Sequence, residues 1–499
     1  MLINRILKKQ RNKNIAFSII MPTYNRKSTI DSAINSVLNQ TYKNFELIII
    51  DDGSTDGTSQ HIHNKYKKEL KNKKIKYFFL KHVGVCRARN FGLSVAKNDW
   101  IGYIDSDNTM LLDALETFAN HTKFSKTLYA NLQYLSNNTI LGKPFNYDDL
   151  LKVNYIDLGV FVHHKSLYKK LGGFDKNMTR LVDWDLILTY TKKYKPYYIE
   201  KTVLLYNDID DKPRITNSYS FLDNYIYIQK KHRPNTPIIT TMITTYNHEK
   251  YIEYAIESAL KQQGDFIHEI IISDDGSTDS TPKIVADWTR CHQIEIKNIS
   301  SSVNVGISEN MKRCFNTANG EYIAILEGDD YWTDNQKLQK QMDFLKNHKE
   351  CSFVFSKIKV SNEIEKTTRL LNRQSNLKPI LSAEDFCKTE STNLIGNFSC
   401  CMFRTKYMKK LPEILYQERL SEIPLAFYLD KFGKIGFIPS IMSVYRQHEN
   451  DVWSGAQINN KFQQWLKIRE ICKKVCRKKY IKYFDKIIEE KKKQMSFVS

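Results

Sequence analysis

Asp51-Asp52-Gly53-Ser54-Thr55-Asp56 follows the apolar run Leu47–Ile50, and the same six residues return as Asp274–Asp279 after Ile270–Ile272. An acid pair directly after a continuous apolar run reads as the carboxyl end of a strand buried on both faces. Other landmarks recur at nearly the same spacing. Thr23-Tyr24-Asn25 returns as Thr245-Tyr246-Asn247, Gly84 as Gly306 and Asp107 as Asp329, all 222 residues on, against 223 for the acid-rich hexapeptide. One repeat of this length is a duplicated domain and not a solenoid unit.

Each copy opens on a short apolar strand (Phe17–Met21; Ile238–Ile243) that ends in a polar turn. A helix follows with an apolar stripe: Ile30, Ala33, Ile34, Val37 and Leu38 in the first copy, Ile252, Ala255, Ile256, Ala259 and Leu260 in the second. These stripes are core packing. Buried strands alternating with helices predict an α/β, Rossmann-like, mostly parallel sheet with helices on both faces, binding its ligands beyond the carboxyl ends of the strands. The expected layout is a basic segment at 1–14, domains at 15–232 and 236–455 joined by Lys230–Pro237, and a basic amphipathic helix at 456–499.

The 499 residues allow about three domains and carry a net charge of +21. Residues 1–14 hold +5 of it and residues 456–499 hold +9. Charge gathered at the ends argues against a nucleic-acid groove, which would draw on the folded middle. It suits an anionic membrane surface instead. The stripe from Phe462 through Trp465, Cys472, Val475, Cys476, Tyr480, Phe484 and Ile488 reads either as a helix packed back on the protein or as one lying on anionic lipid. Nine scattered cysteines without CxxC or a Cys/His cluster read as reduced thiols. No apolar run reaches a membrane span and the N-terminus lacks a signal-peptide core, so a cytoplasmic protein is expected, peripheral at most on the cytosolic face of the membrane.

A second acidic landmark follows a later strand in each copy: Asp105-Ser106-Asp107-Asn108 after Trp100–Ile104, and Glu327-Gly328-Asp329-Asp330 after Tyr322–Leu326. Two carboxylates one residue apart suit a hard divalent cation that also holds phosphate oxygens. Alone such a pair also fits a turn or helix cap. Duplicated, with the DDGSTD segment upstream each time, it is a strong signal for such a cation site. The two successive acids of DDGSTD need partners at a buried strand end, and a nucleobase N–H, a ribose hydroxyl or a metal would serve.

The set PTYNR (22–26), DDGSTDGT (51–58), GVCRARN (84–90), DSDN (105–108) and LVDWDL (181–186) resembles the family 2 glycosyltransferases of the GT-A fold. The second copy is similar again through TTYNHEKYI (244–252), DDGSTDST (274–281), NGEYIAILEGDDYW (319–332), KLQKQ (337–341) and SVYRQH (443–448). The resemblance covers both domains. It implies that Asp52 and Asp275 contact the base of a nucleotide, usually uracil, walled by Pro22, Tyr24, Thr244 and Tyr246. Asp105 and Glu327 stand nearer the ribose, and Arg89 also belongs to the nucleotide site. Asp107 and Asp329 hold Mg²⁺ or Mn²⁺ with His448, and Asp183 and Glu422 are the general bases. Inversion at the anomeric carbon then needs a base on one face of the sugar and a cation on the other.

The copies differ. Tyr206-Asn207-Asp208-Ile209 stands where the second has Tyr445-Arg446-Gln447-His448, and Val182 stands where the family commonly has Glu. Glu327 replaces the first Asp of the acid pair, and Glu422 the usual Asp at the base position. The expected function is transfer from nucleotide-sugar donors, UDP-sugars foremost, to a bacterial surface glycan or lipid-linked acceptor, with one active site per domain. The alternative is a single active domain beside a glycan-binding or structural module.

Overall fold

The structure is a computed structural model describing residues 15–209, 221–292, 295–371, 374–389, 392–449 and 458–496. The basic segment 1–14 lies outside the described residues. The chain divides into two compact units, Met1–Arg233 and Pro234–Ser499.

In the first unit one sheet runs, edge to edge, Ile75–Phe79, Phe45–Asp51, Phe17–Thr23, Trp100–Tyr103, Phe161–His164, Thr127–Tyr134, Tyr197–Tyr206, Thr109–Met110. The first four are mutually parallel, while Phe161–His164 runs antiparallel to both neighbours. Phe45–Asp51 (FELIIID) is buried at every position, as a strand covered on both faces must be. Alternation then sorts its side chains. Leu47 and Ile49 join Ile19 and Met21 in one core, and Ile48 and Ile50 join Ile20 in the other. Helix Ile30–Leu38 buries Ile30, Ala33, Ile34 and Val37, the expected stripe.

The second unit repeats the order strand for strand: Ile296–Asn298, Ile267–Asp274, Ile238–Thr245, Tyr322–Glu327, Cys401–Arg404, Cys351–Asn362, Lys434–Gln447, Tyr331–Trp332. Helix Ile252–Leu260 buries Ile252, Ala255, Ile256 and Ala259. Each sheet is thus mixed and mostly parallel, as expected. In each, the opening strand sits between the second and the fourth, and chain order reverses there. That is the switch point beyond whose carboxyl ends ligands bind.

The C-terminal stripe packs back on the second unit. It forms two helices, Ile458–Val475 and Ile481–Ser496, separated by a 3₁₀ turn at Lys478–Tyr480, where one was expected. Ile471, Cys472, Val475, Cys476, Tyr480 and Phe484 join the core that holds Phe386 and Phe427. Phe427 meets Phe484 edge-on at 4.8 Å, and Arg477 Nε donates to Asp430 Oδ2 at 2.7 Å. Most of the apolar face that a lipid-lying helix would need is therefore committed to the protein interior, while Phe462 and Trp465 stay half-buried. No helix among the described residues is long and apolar enough to cross a membrane.

Candidate active site

The DDGSTD turn is built alike in both units. The first acid closes the turn: Asp51 Oδ1 accepts Ser54 N at 2.8 Å, and Asp274 Oδ2 accepts Ser277 N at 3.1 Å. The second acid reaches across to the next loop. Asp52 accepts Val83 N at 2.6 Å and Gly84 N at 3.0 Å, and Asp275 accepts Val305 N at 2.9 Å and Gly306 N at 3.0 Å. The sequence leaves the partner of these acids open among a base, a ribose and a metal. The structure supplies backbone amides to both, and each carboxylate keeps lone pairs for a ligand. Gly276, at φ +73°, makes the approach possible, since a Cβ there would lie 2.6 Å from Asn304 N. Beside Asp52, Tyr24 leans on His82 with ring centroids 4.5 Å apart and stays 44% exposed, while Pro22 is half-buried one strand over.

In the second unit Thr244, Tyr246, Asp275, Glu327, Asp329 and Glu422 line one cavity of about 870 Å³. His448 stands behind its wall, with Nε2 3.2 Å from Asp329 Oδ2, and His248 Nε2 approaches the same oxygen at 3.7 Å. Ligand atoms of His248, Asp329 and His448 lie within 4.8 Å of one another, as do those of Glu327, Asp329 and Asp330. Tyr251 stacks on His448 at 4.6 Å and fixes its ring. Burial works to raise Asp329, yet the His448 hydrogen bond and the two imidazole charges leave its carboxyl below the ordinary value. A carboxylate between two imidazoles fits a divalent cation and leaves positions for diphosphate oxygens. Asp330 is a different case: fully buried, it accepts Ser399 Oγ at 2.6 Å and Arg446 N at 3.0 Å. Asn108 does the same for Asn207 N in the first unit, so this position anchors the last long strand.

Glu327 sits between acids. Burial pushes it up to about 8, Arg419 opposes the shift, Asp329 and Glu422 add to it, and Asn397 Nδ2 donates to it at 2.9 Å. In the first unit Arg89 Nη2 donates to Asp105 at 2.9 Å, and Asp183 lies within the field of both. Burial raises Asp183, and Arg89 counters it. Asp107 is half-buried on the turn after Asp105.

The two positions expected to hold the general base, Asp183 and Glu422, correspond. After Asp183 come five buried residues, half-buried Thr189 and two more buried ones; after Glu422 come five buried residues, half-buried Tyr428 and two more. Both open a helix, Val182–Thr191 and Glu422–Leu429.

Three residues escaped the sequence reading. His248 occupies the position of Arg26 in the first copy, so the first unit has Arg26 and Ile209 where the second has two imidazoles. Arg419 precedes Glu422 as Arg180 precedes Asp183, a repeated Arg-Leu-x-acid that is visible once the copies are aligned. Asp157 caps the 3₁₀ turn Leu158–Val160, accepting Gly159 N at 2.7 Å, where Asn397 caps Phe398–Cys400 in the second unit. Burial, with Asp105 and Asp183 nearby, pushes Asp157 up to about 7. No motif announces that residue.

The model of glycosyl transferase family 2 matches residues 18–168 and 240–411, and the chain belongs to that family. An uncharacterized protein of Mycobacterium tuberculosis is 31% identical over 218 residues, 42% of this chain and 59% of the relative. The chondroitin synthase of Pasteurella multocida is 26% identical over 384 residues, 64% of this chain and 39% of that protein. The chain thus spans less than two thirds of either relative. Among solved structures, S. aureus TarS 1–349 in complex with UDP-GlcNAc is 18% identical, with a TM-score of 0.38 over 44% of this chain and 65% of that one.

Proposed function

We propose that the chain is an inverting, metal-dependent glycosyltransferase that uses nucleotide-sugar donors, UDP-sugars foremost, and extends a bacterial surface glycan. The observation that carries this reading is the 3.2 Å approach of His448 to Asp329 beside the cavity that Glu422 lines. In the second unit Tyr246 and Asp275 receive the base, Glu327 the ribose, and Asp329 with His448 and His248 would hold Mn²⁺ or Mg²⁺. When bound, the cation neutralises the charge developing on the diphosphate. Glu422 takes the proton of the acceptor hydroxyl. That oxygen bonds to the anomeric carbon as the bond from carbon to the diphosphate oxygen breaks, with inversion. Two imidazoles in the donor set favour Mn²⁺ over Mg²⁺. The likeness to a chondroitin synthase supports a polysaccharide acceptor.

Asp52, Asp105, Arg89 and Asp183 support a second transferase site in the first unit, and so a bifunctional chain. Arg26 and Ile209 in place of the two imidazoles favour the other reading, a first unit that binds glycan without turnover. Peripheral contact with the cytosolic membrane surface, within this proposal, is electrostatic and made by exposed lysines, since most of the C-terminal apolar stripe is packed in the core of the second unit.

Nucleotide release with Mn²⁺ across a panel of sugar nucleotides, compared among wild type, Asp107→Ala and Asp329→Ala, tests these readings. Loss of a different donor in each variant supports two active sites. Loss in Asp329→Ala alone supports one. Release that persists in both variants overturns the metal-dependent reading.

A further inference from the structure

Helix Ile458–Val475 lies outside both segments that the family model matches, yet it walls the cavity of the second unit. Gln464, Trp465, Ile468 and Arg469 line the same space as Asp275, Asp329 and Glu422. This helix packs on Glu422–Leu429, so it closes the cavity on the side of the residue assigned to deprotonate the acceptor. At about 870 Å³ the space is near the top of the range of roughly 300–1,000 Å³ for ligand pockets, room for an acceptor beside the donor.

Trp465 is half-buried there, and the Arg469 guanidinium lies 4.5 Å from its ring centroid. Arg469 is itself 3% exposed, and its Nη2 donates to Thr392 Oγ1 at 2.8 Å. A desolvated cation on one face of an indole is a strong contact, and here it fixes the ring against the cavity wall. A flat, amphipathic ring held in place at low entropic cost suits the apolar C–H face of a pyranose.

We propose that the C-terminal helix forms an acceptor subsite of the second unit, in which Trp465 stacks on a sugar ring of the acceptor glycan and Arg469 positions the indole. The inference rests on the transferase reading above. It gives the tryptophan of the basic C-terminal segment a role in substrate recognition and not in membrane attachment.

The test uses the full chain with Mn²⁺ and two titrations. One follows UDP binding by calorimetry. The other follows binding of 4-nitrophenyl glycosides of N-acetylglucosamine, galactose and glucuronic acid by saturation-transfer NMR in the presence of UDP. Trp465→Ala is expected to weaken the glycoside that binds wild type best by about tenfold or more. Trp465→Phe recovers most of that loss, and UDP affinity stays within about twofold in both variants. Arg469→Lys, which loses the planar contact with the indole, weakens the glycoside and not UDP. Glycoside binding in Trp465→Ala equal to wild type overturns the subsite, as does a wild type that binds UDP and none of the glycosides. A wild type that fails to bind UDP overturns the transferase reading, and the subsite with it.

Discussion

Asn397 Nδ2 donates to Glu327 at 2.9 Å in the second unit, and Asp157 holds the corresponding cap in the first, beside Asp105. An amide that donates to a carboxylate has been exchanged for a carboxyl that lies in the field of one. The second arrangement favours a proton on Asp157, and burial with Asp105 and Asp183 raises it to about 7. A group whose native value lies above its unfolded one binds more protons when folded, so its contribution to stability falls as pH climbs from about 4 to about 7.

Asp157→Asn removes that titration while keeping the cap to Gly159 N. The stability gained by the variant over wild type is therefore expected to be larger at about pH 8 than at about pH 5. Denaturant midpoints at the two pH values measure this, and an equal gain at both would show that Asp157 is not protonated on folding.

Glu422→Gln keeps the size of the side chain and removes the base. Turnover is expected to fall by about 10²–10⁴-fold, with UDP affinity unchanged. Steady-state rates with calorimetry alongside separate the two effects; a variant that turns over as wild type does would move the base to another residue.

Gly276→Ala places a Cβ against Asn304 N at a backbone angle that favours glycine. The loop that grips Asp275 must shift, so a destabilisation of about 1–3 kcal/mol is expected together with weaker UDP binding. A melting temperature and UDP affinity equal to wild type would show that the loop tolerates the change.

Much of this was legible in the sequence. The duplicated hexapeptide located the carboxyl ends of the second strands, and continuous apolar runs such as FELIIID required cover on both faces. Asp52 and Asp275 were singled out, but not their backbone partners, because a loop 31 residues downstream carries no pairing signal. His248 was open to comparison, since Arg26 stands opposite it in the other copy; its nearness to His448 depends on two turns far apart in the chain. Asp157 was not legible, because an isolated Asp before Leu-Gly-Val looks like any turn residue. Periodicity in the C-terminal segment showed an apolar face but could not say that a protein core, and not lipid, would cover it.

The central claim is that Asp329, His448 and His248 form the cation site of the second unit. Titrating Mn²⁺ into the full chain with UDP present, and following free Mn²⁺ by electron paramagnetic resonance, tests it without relying on turnover. In an Asp107→Ala background, which removes any cation site of the first unit, a tight Mn²⁺ site is expected that is lost on adding Asp329→Ala and weakened by about tenfold or more on adding His448→Ala or His248→Ala. Tight Mn²⁺ binding that survives when Asp107→Ala and Asp329→Ala are combined would contradict it.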